Sequence, residues 1–410
     1  MRIIQRLAFS VVLLGAALNV FAQTADPLAG LKELDAYQQK QFEDARTSGK
    51  RVDFNALQTE LKNKALAMVK GLDIKKIDPK NAYNWAQLFA RADLNKETCA
   101  LAEAYIKKAN PSAADKFDAQ MLMLTACNEM KEAGMLAENL PNVVPTDDAR
   151  AANLAMMGSY FTEVIQTAQG PKKALKALDA VEKNLPTFTD TSAQGKTRAA
   201  SAKFSIVDRR AELLVADKRK DEAIRVLKDF SATLDANSPI LRTVKGSTTR
   251  LEMLDRAAPT FATERGYGEF AGIESLKGKV VLVDFFAHWC GPCIAAFPEM
   301  KELLKELQPK GLEIIGFTTY YGYYKAENRE KRDMPKDVEF AKMKDFIAEQ
   351  TLPWPVVYGE RSVFETYGVT GIPHVAVIDR KGVLRKIKIG YSPASFGEFK
   401  KFVQELLDEK

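Results

Sequence analysis

The spacing of apolar residues divides this chain into two parts. From Leu28 to Ala257, apolar side chains recur every three or four residues, the spacing that places them on one face of a helix. Residues 174–185 form one such face, and a polar turn at 217–221 separates two shorter ones. Prolines interrupt the pattern repeatedly. We therefore predict an all-α domain over residues 23–257, either a regular stack of helical hairpins or an irregular bundle.

The pattern changes after Ala257, where short β-branched runs alternate with helical stretches. The runs are Val280–Val283, Ile314–Phe317, Val356–Val357 and Val375–Ile378, and the helical stretches are Ala295–Leu307 and Val338–Glu349. Strands alternating with helices predict an α/β domain over residues 258–410, built around a largely buried sheet. Asp379–Gly382 fits a hairpin turn between the last two strands, with Gly382 supplying a positive φ.

Composition agrees with two soluble domains. The 410 residues exceed the length at which one core usually stops growing. Apolar residues make up 46% and charged residues 28%, as in ordinary globular proteins. The 60 basic and 54 acidic residues are scattered along the chain, so we expect no nucleic-acid partner.

The N-terminus has the features of a secretory signal peptide. Two basic residues, Arg2 and Arg6, precede an apolar run, Leu7–Val20. The small residue Ala22, two positions after this run, is where we expect signal peptidase to cut. A membrane anchor is the alternative, but the run is shorter than the roughly 20 residues that a span needs. No cysteine follows Ala22 to carry a lipid. We expect residues 1–22 to be removed and the mature protein to be soluble and periplasmic, without stable membrane insertion.

Chemistry concentrates at Cys290–Gly291–Pro292–Cys293, between a predicted strand and a predicted helix. At a helix N-terminus, free backbone N–H groups and the helix dipole lower the pKa of a cysteine. Two intervening residues let the second sulfur attack a mixed disulfide formed at the first. We predict that Cys290 is the exposed attacking thiol and Cys293 the buried resolving thiol.

Half of a zinc site is the alternative interpretation of this motif. Zinc would need two more ligands, and the chain offers only His288, His374, Cys99 and Cys127 besides the motif. There is no second Cys-x-x-Cys sequence. We therefore expect neither a metal nor a cofactor.

The motif resembles that of the thioredoxin superfamily. Trp289 precedes Cys290, Pro298 stands at the kink of the family's active-site helix, and Gly371–Ile372–Pro373 matches its second conserved loop. Ala258–Pro259–Thr260–Phe261 and Leu276–Lys277–Gly278–Lys279 are similar to the TlpA-type extracytoplasmic branch. The resemblance covers the chain from about Ala258 to the C-terminus. The helical domain is similar in texture to tetratricopeptide-type arrays but lacks their Trp, Gly and Tyr signature positions.

This resemblance implies a protein-disulfide oxidoreductase with defined site residues. Pro373 would be the cis-proline that faces the dithiol and helps to bind an extended substrate chain. Trp289, Gly291, Pro292 and Ile372 would contact that substrate. Protein disulfides or thiols would be the partners.

Asp284 lies within the apolar run that precedes the motif. A carboxylate buried in a strand has a raised pKa and suits proton transfer near neutral pH. In thioredoxins the matching aspartate accepts the proton of the resolving thiol, a role that the resemblance assigns to Asp284. The alternative is an aspartate that faces solvent at the strand end.

Two histidines and a tyrosine-rich segment adjoin the active-site elements. His288 and His374 could tune the thiolate or make it pH-dependent, but we favour plain surface residues. The tyrosines of Thr318–Tyr324 follow a strand and could line a substrate-binding surface. Alternatively, their rings pack under the long Lys325–Lys336 loop.

Cys99 and Cys127 form the second cysteine pair. They lie on either side of a turn at residues 110–112, where Ser112 and Asp115 resemble a capping box. Counting outward from this turn places the two sulfurs at similar heights, so we predict a structural disulfide. Two free buried thiols and a relay dithiol for Cys290 are the alternatives.

The direction of electron flow is the open question. Gly291–Pro292 and Ile372 are typical of the reducing end of the family, which in a periplasm would need a DsbD-like membrane donor. An oxidase or isomerase on the same fold is one alternative, and a helical binding module with an accessory redox domain is another. A peroxiredoxin is excluded because Ala287 stands where that family has threonine.

Overall fold

A computed structural model describes residues 26–49 and 52–409 of this chain. These residues form two compact units that meet in sequence between Arg219 and Lys220. The predicted signal peptide, residues 1–22, lies outside the described residues. Within the described ranges, no helix has both the length and the apolar character that a membrane span requires.

The first unit is built from α-helices, which confirms the all-α prediction for this part of the chain. In chain order the helices are α1 Pro27–Ser48, α2 Phe54–Val69, α3 Ala82–Arg91, α4 Asn95–Lys108, α5 Ala113–Glu129, α6 Ala133–Asn139, α7 Asp148–Gln169, α8 Pro171–Asn184 and α9 Ala193–Ala216.

Side-chain caps set where several of these helices begin. Asp53, Ser112 and Ser192 each accept a hydrogen bond from a backbone N–H of the first turn. Such caps satisfy amides that have no partner within the helix. Leucine, alanine and phenylalanine side chains on the inner faces, among them Leu34 and Phe161, form one apolar core.

The second unit begins with two helices, α10 Lys220–Ala232 and α11 Leu241–Met253, which pack against each other. Lys220 Nζ bonds the carbonyl of Leu254 at 2.7 Å. Asp255 N then donates to the Leu384 carbonyl at 2.8 Å, which ties the end of this segment to the sheet. The compact unit therefore starts before Ala258, where the texture of the sequence changes.

A mixed six-stranded sheet forms the centre of the second unit, as predicted for an α/β domain. The strands are β1 Arg265–Tyr267, β2 Val280–Phe285, β3 Leu312–Thr318, β4 Val356–Tyr358, β5 His374–Ile378 and β6 Leu384–Ile389, in the spatial order β1-β4-β3-β2-β5-β6. Strands β2, β3 and β4 are parallel, whereas β1, β5 and β6 pair antiparallel with their neighbours.

Helices cover this sheet. They are α12 Gly291–Leu307, α13 Lys336–Gln350, α14 Ser362–Thr366 and α15 Pro393–Asp408. The turn between β5 and β6 has the predicted form, with Gly382 at φ 80° and Asp379 Oδ1 accepting from two backbone amides.

All six residues of β2 are buried, and their side chains alternate between two apolar cores. Val280 and Leu282 pack in the core that contains α12, α13 and α15, whereas Val281 and Val283 face the opposite core. Since side chains two residues apart share a face, Asp284 points toward the core that also holds the dithiol.

Candidate active site

Cys290 is the N-cap residue of α12, directly after the turn that leaves β2. Its sulfur accepts a hydrogen bond from Cys293 N at 3.2 Å. The following Pro292 lies in the first turn, where a residue without an N–H costs no hydrogen bond. A thiolate formed at Cys290 would therefore meet a backbone donor and the positive end of the helix dipole.

The two sulfurs form a disulfide in this structure, with the Cα atoms 5.3 Å apart. Cys290 is 3% exposed and Cys293 is 1% exposed, so the prediction of an exposed Cys290 is wrong for the oxidised state. The exposed residues of the motif are instead Trp289, at 43%, and the Gly291–Pro292 pair. The Cys290 side chain is buried where its sulfur is bonded to that of Cys293.

Asp284 is buried at 3% exposure, so the alternative of a solvent-facing aspartate is wrong. Burial alone raises the pKa of its carboxyl to about 7. Such a group exchanges its proton close to neutral pH, and it faces the core that contains Cys293. This location suits a proton acceptor for the resolving thiol.

The second predicted loop lies at the same end of the sheet as the dithiol. The Ile372–Pro373 peptide bond is cis. His374, the first residue of β5, pairs with Phe285, the last residue of β2, so both loops leave the same end of this strand pair. Ile372 packs against the apolar core that contains both active-site cysteines.

Both histidines are buried, so the interpretation of them as surface residues is wrong. Burial lowers the pKa of His288 to about 4 and that of His374 to about 3. For His374 the charge of Arg250 adds to this effect. Both imidazoles are therefore neutral between pH 5 and 8, and neither supplies a cation to the thiolate.

The tyrosines of the segment Thr318–Tyr324 do not all have the same role: one lies at the site surface, and others are packed in the interior. Tyr321 contacts exposed Trp289 edge-on, with ring centroids 5.3 Å apart, and so lies at the mouth of the site. Tyr323 and Tyr324 are buried and pack around His288, at centroid distances of 5.3 and 5.1 Å. Only part of the segment can therefore contact a substrate.

Glu339 is a site residue that the sequence analysis missed. This carboxylate, buried in α13, accepts hydrogen bonds from Tyr321 N at 2.9 Å and Gly322 N at 2.8 Å. Burial raises its pKa, although the two amide bonds oppose that effect. It holds the backbone that presents Tyr321 to Trp289. In the sequence, the only indication that Glu339 is buried is its position between the apolar residues Val338 and Phe340.

Cys99 and Cys127 lie in the first unit, on the neighbouring helices α4 and α5. Ser112 Oγ accepts from Asp115 N at 3.2 Å, which confirms the predicted cap at the start of α5. The two sulfurs are 3.2 Å apart and share a hydrogen bond, so the predicted disulfide is not formed here. The bond to Cys99 and burial raise the pKa of Cys127, which disfavours its thiolate.

The two thiols are nevertheless close enough that small movements would bring them to bonding distance, so a bridge under oxidising conditions stays a prediction. We expect non-reducing peptide mass spectrometry of the exported protein to show a linked Cys99–Cys127 peptide pair. Alkylation of both residues without prior reduction would contradict this. A Cys99→Ser/Cys127→Ser variant should have a free energy of unfolding about 3 kcal/mol lower than that of the bridged protein, and so should unfold at a lower denaturant concentration. It should keep its dithiol activity.

Within the described ranges, no three residues among the histidines, cysteines, aspartates and glutamates are grouped to hold a metal ion.

Comparison with known proteins relates the C-terminal part of this chain to thioredoxin-like proteins. Residues 254–406 match the family model described as Redoxin. The thioredoxin-like protein YneN of Bacillus subtilis (strain 168) is 30% identical over 134 residues, which are 32% of this chain and 69% of YneN. The thiol-disulfide oxidoreductase ResA of Bacillus thuringiensis subsp. konkukian is 29% identical over 137 residues, 33% of this chain and 69% of ResA.

A solved structure of a thioredoxin-family thiol:disulfide interchange protein from Chlorobium tepidum TLS is 26% identical. The alignment covers 37% of this chain and 98% of the Chlorobium chain, at a TM-score of 0.28. The sequence relationship to YneN, together with the dithiol at the start of α12, identifies the family. Through its C-terminal part, this chain belongs to the thioredoxin-like thiol–disulfide oxidoreductases of the TlpA and ResA type.

Proposed function

We propose that this protein is a periplasmic reductant of protein disulfides. The observation that carries the proposal is Cys290 at the N-cap of α12, where the Cys293 amide bonds its sulfur and a buried carboxyl, Asp284, faces the same core. This arrangement supplies a nucleophile, a resolving thiol and a proton acceptor.

In the proposed reaction, the Cys290 thiolate attacks one sulfur of a client disulfide. The bond between the client sulfurs breaks, a Cys290–client mixed disulfide forms, and the first client sulfur leaves as a thiolate that takes up a proton. Cys293 then gives its proton to Asp284 and attacks the Cys290 sulfur. This step closes the Cys290–Cys293 disulfide and releases the second client thiolate, so that two electrons have passed to the client.

The direction of this reaction depends on how strongly the protein stabilises its reduced form. Strong oxidants of this chemistry stabilise the thiolate greatly. Here His288, the group nearest in sequence that could have done so, is buried and neutral at pH 7. The Cys290 thiolate then gains mainly the helix N-terminus and the Cys293 amide. This favours a reductant over an oxidase or isomerase.

We expect the potential of the Cys290–Cys293 couple to lie nearer to the roughly −270 mV of thioredoxin than to the roughly −120 mV of a strong periplasmic oxidant. Equilibration with dithiothreitol or glutathione buffers, followed by alkylation and a mobility shift, measures it. The Cys99→Ser/Cys127→Ser variant is the control and should give the same value. A potential above about −180 mV would place the protein with the isomerases and oxidants.

Location and partners complete the proposal. The predicted signal peptide at residues 1–22 supports export, and reduction in an oxidising compartment requires a dithiol donor such as a DsbD-like membrane protein. Oxidised Cys290–Cys293 would receive two electrons from that donor by the same exchange. The helical domain predicted over residues 23–257 would position a client or partner.

A further inference from the structure

A small cavity opens beside the active-site dithiol, within the second unit. Its volume is about 140 Å³. Trp289 and Tyr321 line it together with Thr370–Gly371–Ile372, the residues that lead into Pro373. Arg361 lines it next to α14, and Arg242 lines it from α11, a helix outside the residues that resemble thioredoxin.

Helix α11 is held firmly against this loop. Arg250 Nη1 donates to the Gly368 carbonyl at 2.8 Å. Gly246 lies so close to Thr370 that a Cβ at residue 246 would overlap the Thr370 methyl group. Arg242 is one turn before Gly246, so the close contact fixes the point on α11 from which its side chain leaves the backbone.

The charges at this cavity are unbalanced. Arg242 and Arg361 are both exposed, and none of the described residues that line the cavity is acidic. No carboxylate of the described residues forms an ion pair with either guanidinium group. The charge of Arg361 also acts into the cavity, where it lowers the pKa of the Tyr321 hydroxyl against the larger, opposite effect of burial.

We infer that this cavity is a subsite for an acidic side chain of the client polypeptide, adjacent to the cysteine that Cys290 attacks. This inference rests on the proposed function. The volume accepts a group about the size of benzene, and therefore one side chain. Trp289, Phe364 and Val369 offer apolar surface to its methylene groups, and guanidinium groups bind carboxylates with paired hydrogen bonds.

Three peptides with one intramolecular disulfide each test the inference, differing only in a Glu, Gln or Lys next to one cysteine. The full-length protein, reduced beforehand, is mixed with each peptide at low salt, and the second-order rate constant is measured. Each value is divided by the rate constant of the same peptide with dithiothreitol, which removes the intrinsic reactivity of the peptide.

We expect wild-type protein to favour the Glu peptide over the Gln peptide by roughly fivefold, and to lose that preference as ionic strength rises. Arg242→Gln/Arg361→Gln should remove the preference, and Arg242→Glu/Arg361→Glu should reverse it toward the Lys peptide. Lys305→Gln is the control for loss of a positive charge elsewhere on the same unit. This residue is about 18 Å from Cys293 along α12, and the variant should retain the preference.

Equal normalised rates with wild type, or a preference that survives in the double glutamine variant, would overturn the subsite. Uncharged hydroxyethyl disulfide separates this failure from that of the proposed function. If wild type reduces it without discriminating among the peptides, only the subsite is wrong. If wild type reduces neither hydroxyethyl disulfide nor any peptide, the proposed function is wrong as well.

Discussion

Replacing Cys290 by serine is expected to bring dithiol-driven insulin reduction down to the uncatalysed background. Cys290 is the N-cap of α12 and receives the Cys293 amide, whereas Cys99 and Cys127 lie buried within helices of the other unit. Neither of those thiols could replace it as nucleophile. The turbidity of precipitating insulin gives the rate. A Cys290→Ser protein that reduces insulin as fast as wild type would show that the nucleophile is assigned wrongly.

Cys293→Ser is the matched variant, and it should give a different result. Cys290 can still attack, but the mixed disulfide cannot be resolved from within, so covalent complexes with insulin chains should accumulate. Non-reducing electrophoresis would show them, and they should disappear with excess dithiothreitol. If mixed-disulfide complexes accumulated with Cys290→Ser and not with Cys293→Ser, Cys293 would be the attacking thiol and Cys290 the resolving thiol.

Asp284→Asn should change the pH dependence of stability by a large amount. In the folded, oxidised protein, burial raises the Asp284 pKa from 3.8 to about 7. The folded state therefore binds the proton more tightly than the unfolded state, and stability falls as pH rises from about 4 through 7. The expected loss at pH 8, relative to pH 4, is on the order of 4 kcal/mol.

The asparagine variant lacks this ionisation. The difference in free energy of unfolding between variant and wild type should therefore grow between pH 4 and pH 8, in favour of the variant. Urea unfolding at several pH values measures it, with the exposed Glu302→Gln as control. Turnover of Asp284→Asn should also slow near neutral pH, because Cys293 loses its proton acceptor. A constant stability difference across this range would contradict the burial argument.

The sequence predicted the sheet and the dithiol because their signals are local. Each predicted β-branched run, such as Val280–Val283, became part of a strand, since a strand buried on both faces needs continuous apolar residues. Cys290 lies at a helix start because residues 291–293 begin the helix with a proline in its first turn. Such features do not depend on distant parts of the chain.

What the sequence did not predict depends on tertiary packing. Burial of His288 results from rings at Tyr323 and Tyr324, which reach it from a loop 35 or more residues later in the chain. Glu339 is an ordinary helix residue until its carboxylate meets the amides of Tyr321 and Gly322. Helix α11 has the same amphipathic pattern as the helices before it, and this pattern does not show which core it covers.

The close contact between α11 and the loop before Pro373 has a consequence for cutting the protein into parts. A fragment that begins at Ala258 would lack Arg250, and the Gly368 carbonyl would lose that donor. It would also lack Asp255 and its bond to the Leu384 carbonyl of β6. A fragment that begins at Lys220 keeps both bonds. The redox part of this protein is therefore expected to be more stable to unfolding when it is produced from Lys220 onward than when it is produced from Ala258, where its sequence resemblance begins.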